Sequence, residues 1–157
     1  MSSKPHCLNL TRAGEYAISA LSRLALMSSG PEGAPVPVES LAGGQRIPRA
    51  FLGKILGRCA RMGIVRTKRG AAGGVALARP ADRITLLQIV EACEGGYARA
   101  SCVFFVERSC TGPLCGVYCA LRRAEEELRV RLSGTTLADM ARELGRHPDA
   151  AAAGISI

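Results

Sequence analysis

Between Ser101 and Cys119 the chain reads SCVFFVERSCTGPLCGVYC, which puts four of its seven cysteines within nineteen residues and no histidine among them. The spacing is C-x7-C-x4-C-x3-C. Thiolates gathered this closely suit a soft or borderline metal, zinc or an iron–sulfur cluster, because each supplies a negative, polarizable sulfur. A disulfide framework is the weaker alternative, since the opening MSSKPHC does not resemble a secretory leader and the chain exceeds the small secreted domains that need such bridges. Buried or adventitious thiols are the bland alternative.

The same spacing divides the stretch into a loop half and a helix half. Cys102 and Cys110 lie in a mixed apolar and charged run, whereas Gly112-Pro113 marks a break and offers Pro113 as a first helical residue. Cys115 and Cys119 then fall at i and i+4 on one face of the following helix. Their sulfurs lie near its positive end, which favours the thiolate.

A chain of 157 residues supports one core-bearing domain with one projecting element. It carries 21 basic and 13 acidic residues, for a net +8, and the charge is unevenly spread. From Arg46 to Arg83 there are ten Lys or Arg and one acid, Asp82, so this segment alone carries +9. A polyanion contacted by one region is expected, against the alternative of a solvated basic face. The most apolar run, Ile18 to Met27, is short and interrupted by Arg23, so no membrane span is expected. The chain is therefore expected to be cytoplasmic, with reduced thiols.

Periodicity places the elements that must position these groups. Residues 1–9, with His6 and Cys7, form a flexible start, and Thr11 caps a helix to Met27 with Ala17, Leu21, Leu24 and Ala25 on its apolar stripe. Glu15 lies in its first turn, where the helix dipole favours a carboxylate. A Gly/Pro-rich loop leads to a short helix, Val38 to Ala42. Pro48 then opens a third, which runs to about Met62 and is closed by Gly63. There Phe51, Leu52, Ile55, Leu56 and Cys59 form the inward stripe, and Lys54, Arg58 and Arg61 share another face.

Short helix, turn and basic helix make a helix-turn-helix, and two strand-like runs within Ile64 to Arg79 flank a glycine-rich tip that reads as a wing. Glycines beside Lys68 and Arg69 let backbone and charge approach phosphates. Thr85 to Glu94 is a further helix with Cys93 on its apolar face. After the cysteine loop, Val117, Leu121, Ala124, Leu128 and Leu132 recur at a spacing suited to a helix that packs along a partner, with packing on its own domain as the alternative. A short last helix, LADMAREL, is capped by Thr135 or Thr136. The fold class is mainly α with a small β-hairpin wing: a winged helix-turn-helix over 10–96, a cysteine-rich cluster-binding loop over 97–119, a dimerisation helix and short C-terminal helix over 113–146, and a flexible tail over 147–157.

In that order the chain resembles the IscR/NsrR/CymR-type winged-helix transcriptional regulators of bacteria. The matching segments are LTRAGEYAISAL, IPRAFLGKIL, GIVRTKRGAAGGVAL, ITLLQIVEAC, the cysteine loop and TTLADM, and they span Leu8 to about Glu143. The wing pattern R-G-x-x-G-G after G-[IL]-V is the most specific. The resemblance implies a homodimer crossed through the long helix and an inverted-repeat operator in double-stranded DNA. It also implies that Ala50, Phe51 and Lys54 face bases and that Arg69 is the wing arginine. A [2Fe–2S] or [4Fe–4S] cluster is implied on Cys102, Cys110 and Cys115. For the fourth ligand, Tyr118 stands where one branch has histidine, Glu15 matches an acidic position used from the opposite subunit, and Cys119 is an additional thiolate. Cys119 and Glu15 compete for that role.

The expected protein is thus a DNA-binding repressor or activator whose operator affinity follows an iron–sulfur cluster that senses redox state, nitric oxide or iron. Arg46, Arg49, Arg58, Arg61 and Lys68 are expected on phosphates, and Lys54 and Arg69 on guanine edges. Two alternatives keep DNA binding but replace the cluster with zinc or a thiol switch, or with control by a partner protein. An enzyme is not expected, because no acid–base pair or nucleophile–base set is present, and an electron carrier has no need of +9 in one segment.

Overall fold

Among the described residues, six helices and one hairpin follow one another in the order α1 (Arg12–Met27), α2 (Val38–Ala42), α3 (Arg49–Arg61), β1 (Val65–Lys68), β2 (Gly74–Leu77), α4 (Leu86–Glu94), α5 (Gly116–Gly134) and α6 (Leu137–Arg146). A 3-10 turn, Ala81–Arg83, precedes α4. The computed structural model describes residues 10–28, 33–42, 47–70, 73–94 and 116–146. The winged-helix fold class expected from the sequence is the one observed among them.

Thr11 begins α1 as anticipated: its backbone is extended and its hydroxyl accepts the Gly14 N–H at 3.3 Å, which satisfies one otherwise orphan donor. Ala17, Leu21 and Leu24 turn wholly inward from α1. They meet Leu41, Leu52, Ile55, Leu56, Ile89 and Val90 in a single apolar cluster. Each large aliphatic side chain so enclosed contributes about 1.5–3 kcal/mol.

The junction between α3 and the wing is fixed by a Schellman turn. Gly63 sits at φ +64°, the Ile64 N–H reaches the Cys59 carbonyl at 3.0 Å, and the Gly63 N–H reaches that of Ala60 at 3.0 Å. This turn sets the hairpin's departure angle from the helix. β1 and β2 pair antiparallel with Val65 opposite Leu77 and Lys68 opposite Gly74. Val36 adds a third rung through reciprocal 2.8 Å bonds with Val75. At the tip, a Cβ on Gly73 would stand 2.4 Å from the Lys68 carbonyl oxygen, and one on Gly74 2.4 Å from that of Val36. These two glycines, expected from sequence to admit phosphates, are required by the hairpin's own backbone packing.

Two placements differ from those read from periodicity. Phe51, assigned to the inward stripe of α3, is 37% exposed and meets the Tyr16 ring edge-on at 6.0 Å, because it lies in the first turn of α3, where the core beneath is α1. Leu132, assigned to a seam between subunits, is buried in the core of its own domain, and Leu128 packs partly against that core. Helix α6 packs on α1. It is held there by crossed backbone bonds, Leu86 N–H to Thr135 O at 3.0 Å and Leu137 N–H to Ile84 O at 2.8 Å. Its start is a capping box in which Thr136 and Asp139 exchange side-chain-to-backbone bonds at 2.9 and 3.2 Å.

Candidate nucleic-acid interface

Helix α3 buries Leu52, Ile55, Leu56 and Cys59 and turns Arg49, Ala50, Phe51, Gly53, Lys54, Arg58 and Arg61 to solvent. The 3.6-residue period does this: apolar residues recur every three or four positions, so the intervening cations are forced onto the opposite side. The hairpin continues that surface. In β1 Val65 is buried, while Arg66, Thr67 and Lys68, followed by Arg69 and Gly70, are exposed.

The cations of this surface are of two kinds. Lys54, Arg61, Lys68 and Arg69 are exposed and make no hydrogen bond or ion pair with any other described residue. Lys68 faces Gly74 across the strand pair, so nothing opposite it competes for its charge. Others are held within the chain. Arg49 pairs with Glu39 of α2, Arg66 reaches the Gly33 carbonyl at 3.5 Å, and Arg79 spans the Gly63 carbonyl at 3.2 Å and Gln88 Oε1 at 3.4 Å. Arg58 donates through Nη1 to the Cys93 carbonyl at 2.5 Å. Arg46 lies outside the described residues.

Two glycines in α3 have no structural cause. A Cβ built on Gly53 or Gly57 meets nothing within 4 Å. Alanine in a helix interior is favoured over glycine by about 1 kcal/mol, so the fold alone would prefer it at both positions. With Ala50 they make a low outward strip beside Lys54, on which another backbone can come close.

The last two residues of α4 form a junction that the sequence did not reveal. The Cys93 carbonyl receives Arg58 from α3, and Glu94 Oε1 accepts the Thr11 N–H at the start of α1, at 2.9 Å. Glu94 Oε1 also stands 3.2 Å from where a Cβ on Gly14 would lie, so Gly14 admits this contact. The 95–115 segment begins immediately after. No periodicity signals such roles, because a cation on a helix face and an acid at a helix end look the same whether they meet solvent or a neighbouring helix.

Of the candidate metal ligands, Cys102, Cys110 and Cys115 lie outside the described residues. Cys119 is exposed in the first turn of α5, and Glu15 is half-buried in the first turn of α1. Among the described residues no three His, Cys, Asp or Glu side chains gather as a metal site. On α5, Ala124 is exposed, while the side chains of Val117, Tyr118 and Leu121 are not among those described. No described helix is long and apolar enough to cross a membrane.

Comparison with known proteins agrees with this architecture. The family model Rrf2, described as iron-dependent transcriptional regulator, matches residues 10–143. The chain is 37% identical over 136 residues to protein aau3 of Rhizobium meliloti, covering 85% of this chain and 84% of that protein. The cysteine regulator CymR of B. subtilis superposes with a TM-score of 0.72 at 24% identity, over 87% of this chain and 98% of that one. IscR of T. potens superposes at 0.67 and 23% identity, over 87% and 88%. The exposed cationic helix and wing are therefore those of a DNA-binding transcriptional regulator and not of an enzyme, and the chain belongs to the Rrf2 family.

Proposed function

We propose that the protein is a homodimeric regulator that binds an inverted-repeat operator and whose affinity is set by an iron–sulfur cluster. Cys102, Cys110 and Cys115 would hold the cluster, with Cys119 or Glu15 as fourth ligand. The observation that carries the proposal is the junction at the end of α4. It touches the recognition helix through Arg58 and α1 through Glu94, and the cysteine-rich stretch follows it directly. The donor set suits the group: clustered thiolates are the ligands iron–sulfur clusters take, and Cys119 sits near the positive end of a nineteen-residue helix. When bound, such a cluster supplies a centre whose charge and occupancy respond to oxidant, nitric oxide or iron supply.

The chain's own residues do the rest. Lys54, Arg61, Lys68 and Arg69 bind phosphate or guanine, and Ala50, Gly53 and Gly57 let α3 sit deep in a major groove. Phe51 offers an apolar edge to thymine methyl groups. Arg58 transmits any displacement of the α4 end to α3, and a change of about 1.4 kcal/mol in the bound geometry is tenfold in affinity. Helix α5, with Ala124 outward, is the remaining candidate for the dimer contact.

The test is anaerobic purification with iron and sulfide analysis, absorption and Mössbauer spectra before and after air, and operator binding in each state. A brown protein whose affinity changes with the spectrum is expected. A colourless zinc protein, or full operator control after the four loop cysteines become alanine, refutes the cluster.

A further inference from the structure

Phe51 stands 37% exposed in the first turn of α3, next to exposed Ala50 and one turn before exposed Lys54. Nothing in the helix itself asks for a phenyl ring there: a first turn favours polar caps and carboxylates, and an outward ring adds little to the core. A Phe on a helix surface also swings between two χ1 wells, the third being closed by the preceding turn. A ring with that freedom must be ordered before it can read a base, which costs roughly two- to twelvefold in affinity.

Tyr16 removes the freedom. It begins the second turn of α1, packs partly buried against the hydrophobic core, and meets the Phe51 ring at 82° with the centroids 6.0 Å apart. An edge-to-face pair of this kind is attractive beyond the area it covers. The support beneath it is firm, because Thr11 caps α1 and Glu94 in turn accepts the Thr11 N–H.

We propose that Tyr16 is a positioning residue for base readout: it fixes the Phe51 ring in one rotamer, with the free part of the ring presented to a thymine methyl in the major groove. Recognition helices enter that groove with their N-terminal residues toward the base edges, and the methyl of thymine is the apolar group they meet there. Burying one methyl is worth about fourfold in affinity. In this role Tyr16 acts through Phe51 and not on DNA itself. The inference rests on the DNA-binding reading of α3 and requires no cluster, so the cysteines play no part in its test.

The experiment uses the full chain and a duplex that it selects from a random library, with each thymine replaced in turn by deoxyuridine, which lacks only the methyl. The wild type is expected to lose about fourfold at one thymine of each half-site, and Phe51→Ala to lose that distinction while still binding. Tyr16→Leu and Tyr16→Met, which keep bulk without a ring, should bring the thymine-to-deoxyuridine ratio at that position below about twofold, and Tyr16→Phe should keep it at about fourfold. Affinity for a random-sequence duplex, which depends on the cations, should be the same in every variant, and this separates a lost brace from a lost fold. In the free wild-type protein, three-bond couplings should report a single χ1 rotamer for Phe51. An averaged χ1 overturns the proposal whether or not the Tyr16 variants fold. A methyl preference that survives in both Tyr16→Leu and Tyr16→Met overturns the role of Tyr16 and leaves that of Phe51, whereas a wild type indifferent to every thymine methyl overturns both.

Discussion

Arg58 and Lys68 look alike in the sequence, yet the structure gives them different surroundings, and their alanine variants should separate along two independent axes. Lys68 is exposed, faces a glycine, and contacts no described partner. With Lys54, Arg61 and Arg69 it makes four available cations per protomer, or eight in a dimer. At about −0.9 per neutralised phosphate, log affinity should fall with log salt at a slope of about −7, or about 10,000-fold between 50 and 200 mM. Lys68→Ala removes two contacts, so the slope should flatten by about 1.8, at an unchanged melting temperature. Arg58 instead holds the Cys93 carbonyl. Its removal forfeits a charge-assisted bond of about 1.5 kcal/mol, the low end of the range because the guanidinium is reached by solvent. For a chain of this size that lowers the melting temperature by about 3–6 °C, with the salt slope changed by less than about 0.5. Fluorescence anisotropy across a salt series and calorimetry read the two quantities. An Arg58→Ala protein with the slope of Lys68→Ala and an unshifted melting point would refute the division of the cations into two classes.

Gly57→Ala should raise the melting temperature by about 2–4 °C through helix propensity and yet weaken DNA binding, because the added methyl meets nothing in the chain but stands on the groove-facing strip; tighter binding would remove that strip from the interface. Leu132→Ala should cost about 2–5 kcal/mol in denaturant unfolding whatever the oligomeric state, since the side chain is buried in its own domain. Ala124→Glu, on the exposed face of α5, should leave the fold intact and yield monomers in analytical ultracentrifugation; an unaltered dimer would move the contact elsewhere. Asp139 is held below the usual carboxylate value by bonds from the Thr136 hydroxyl and N–H and by Arg142. A depressed folded value contributes stability that is present above the unfolded value, about 3.9, and is lost as pH falls through the folded one. The difference in unfolding midpoint between the wild type and Asp139→Ala should therefore be constant near neutrality and vanish in acid, and a pH-independent difference would exclude that carboxylate as the anchor of α6.

Much of the scaffold was legible in the residues because local rules govern it. Thr11 caps α1, Gly63 closes α3 in the left-handed region, and Thr136 caps α6, each through contacts only a few residues apart. The basic face of α3 followed from the spacing of Leu52, Ile55, Leu56 and Cys59 alone. Phe51 and Leu132 were misplaced because hydrophobicity says that a side chain prefers cover without saying which surface provides it. At the ends of a helix a neighbouring helix, the same domain or another subunit can supply that cover, and periodicity is identical in all three cases.

By itself the sequence determined the winged-helix order, the concentration of positive charge between Arg46 and Arg83, and the presence of a thiolate-rich stretch. These depend on residue type and short-range spacing. Only the tertiary structure decided which cations remain without a partner among the described residues, that Arg58 reaches the Cys93 carbonyl, and that Glu94 receives the Thr11 N–H. Those pairs lie 35 and 83 residues apart, and such contacts are set by how whole helices pack and not by anything nearby in the chain.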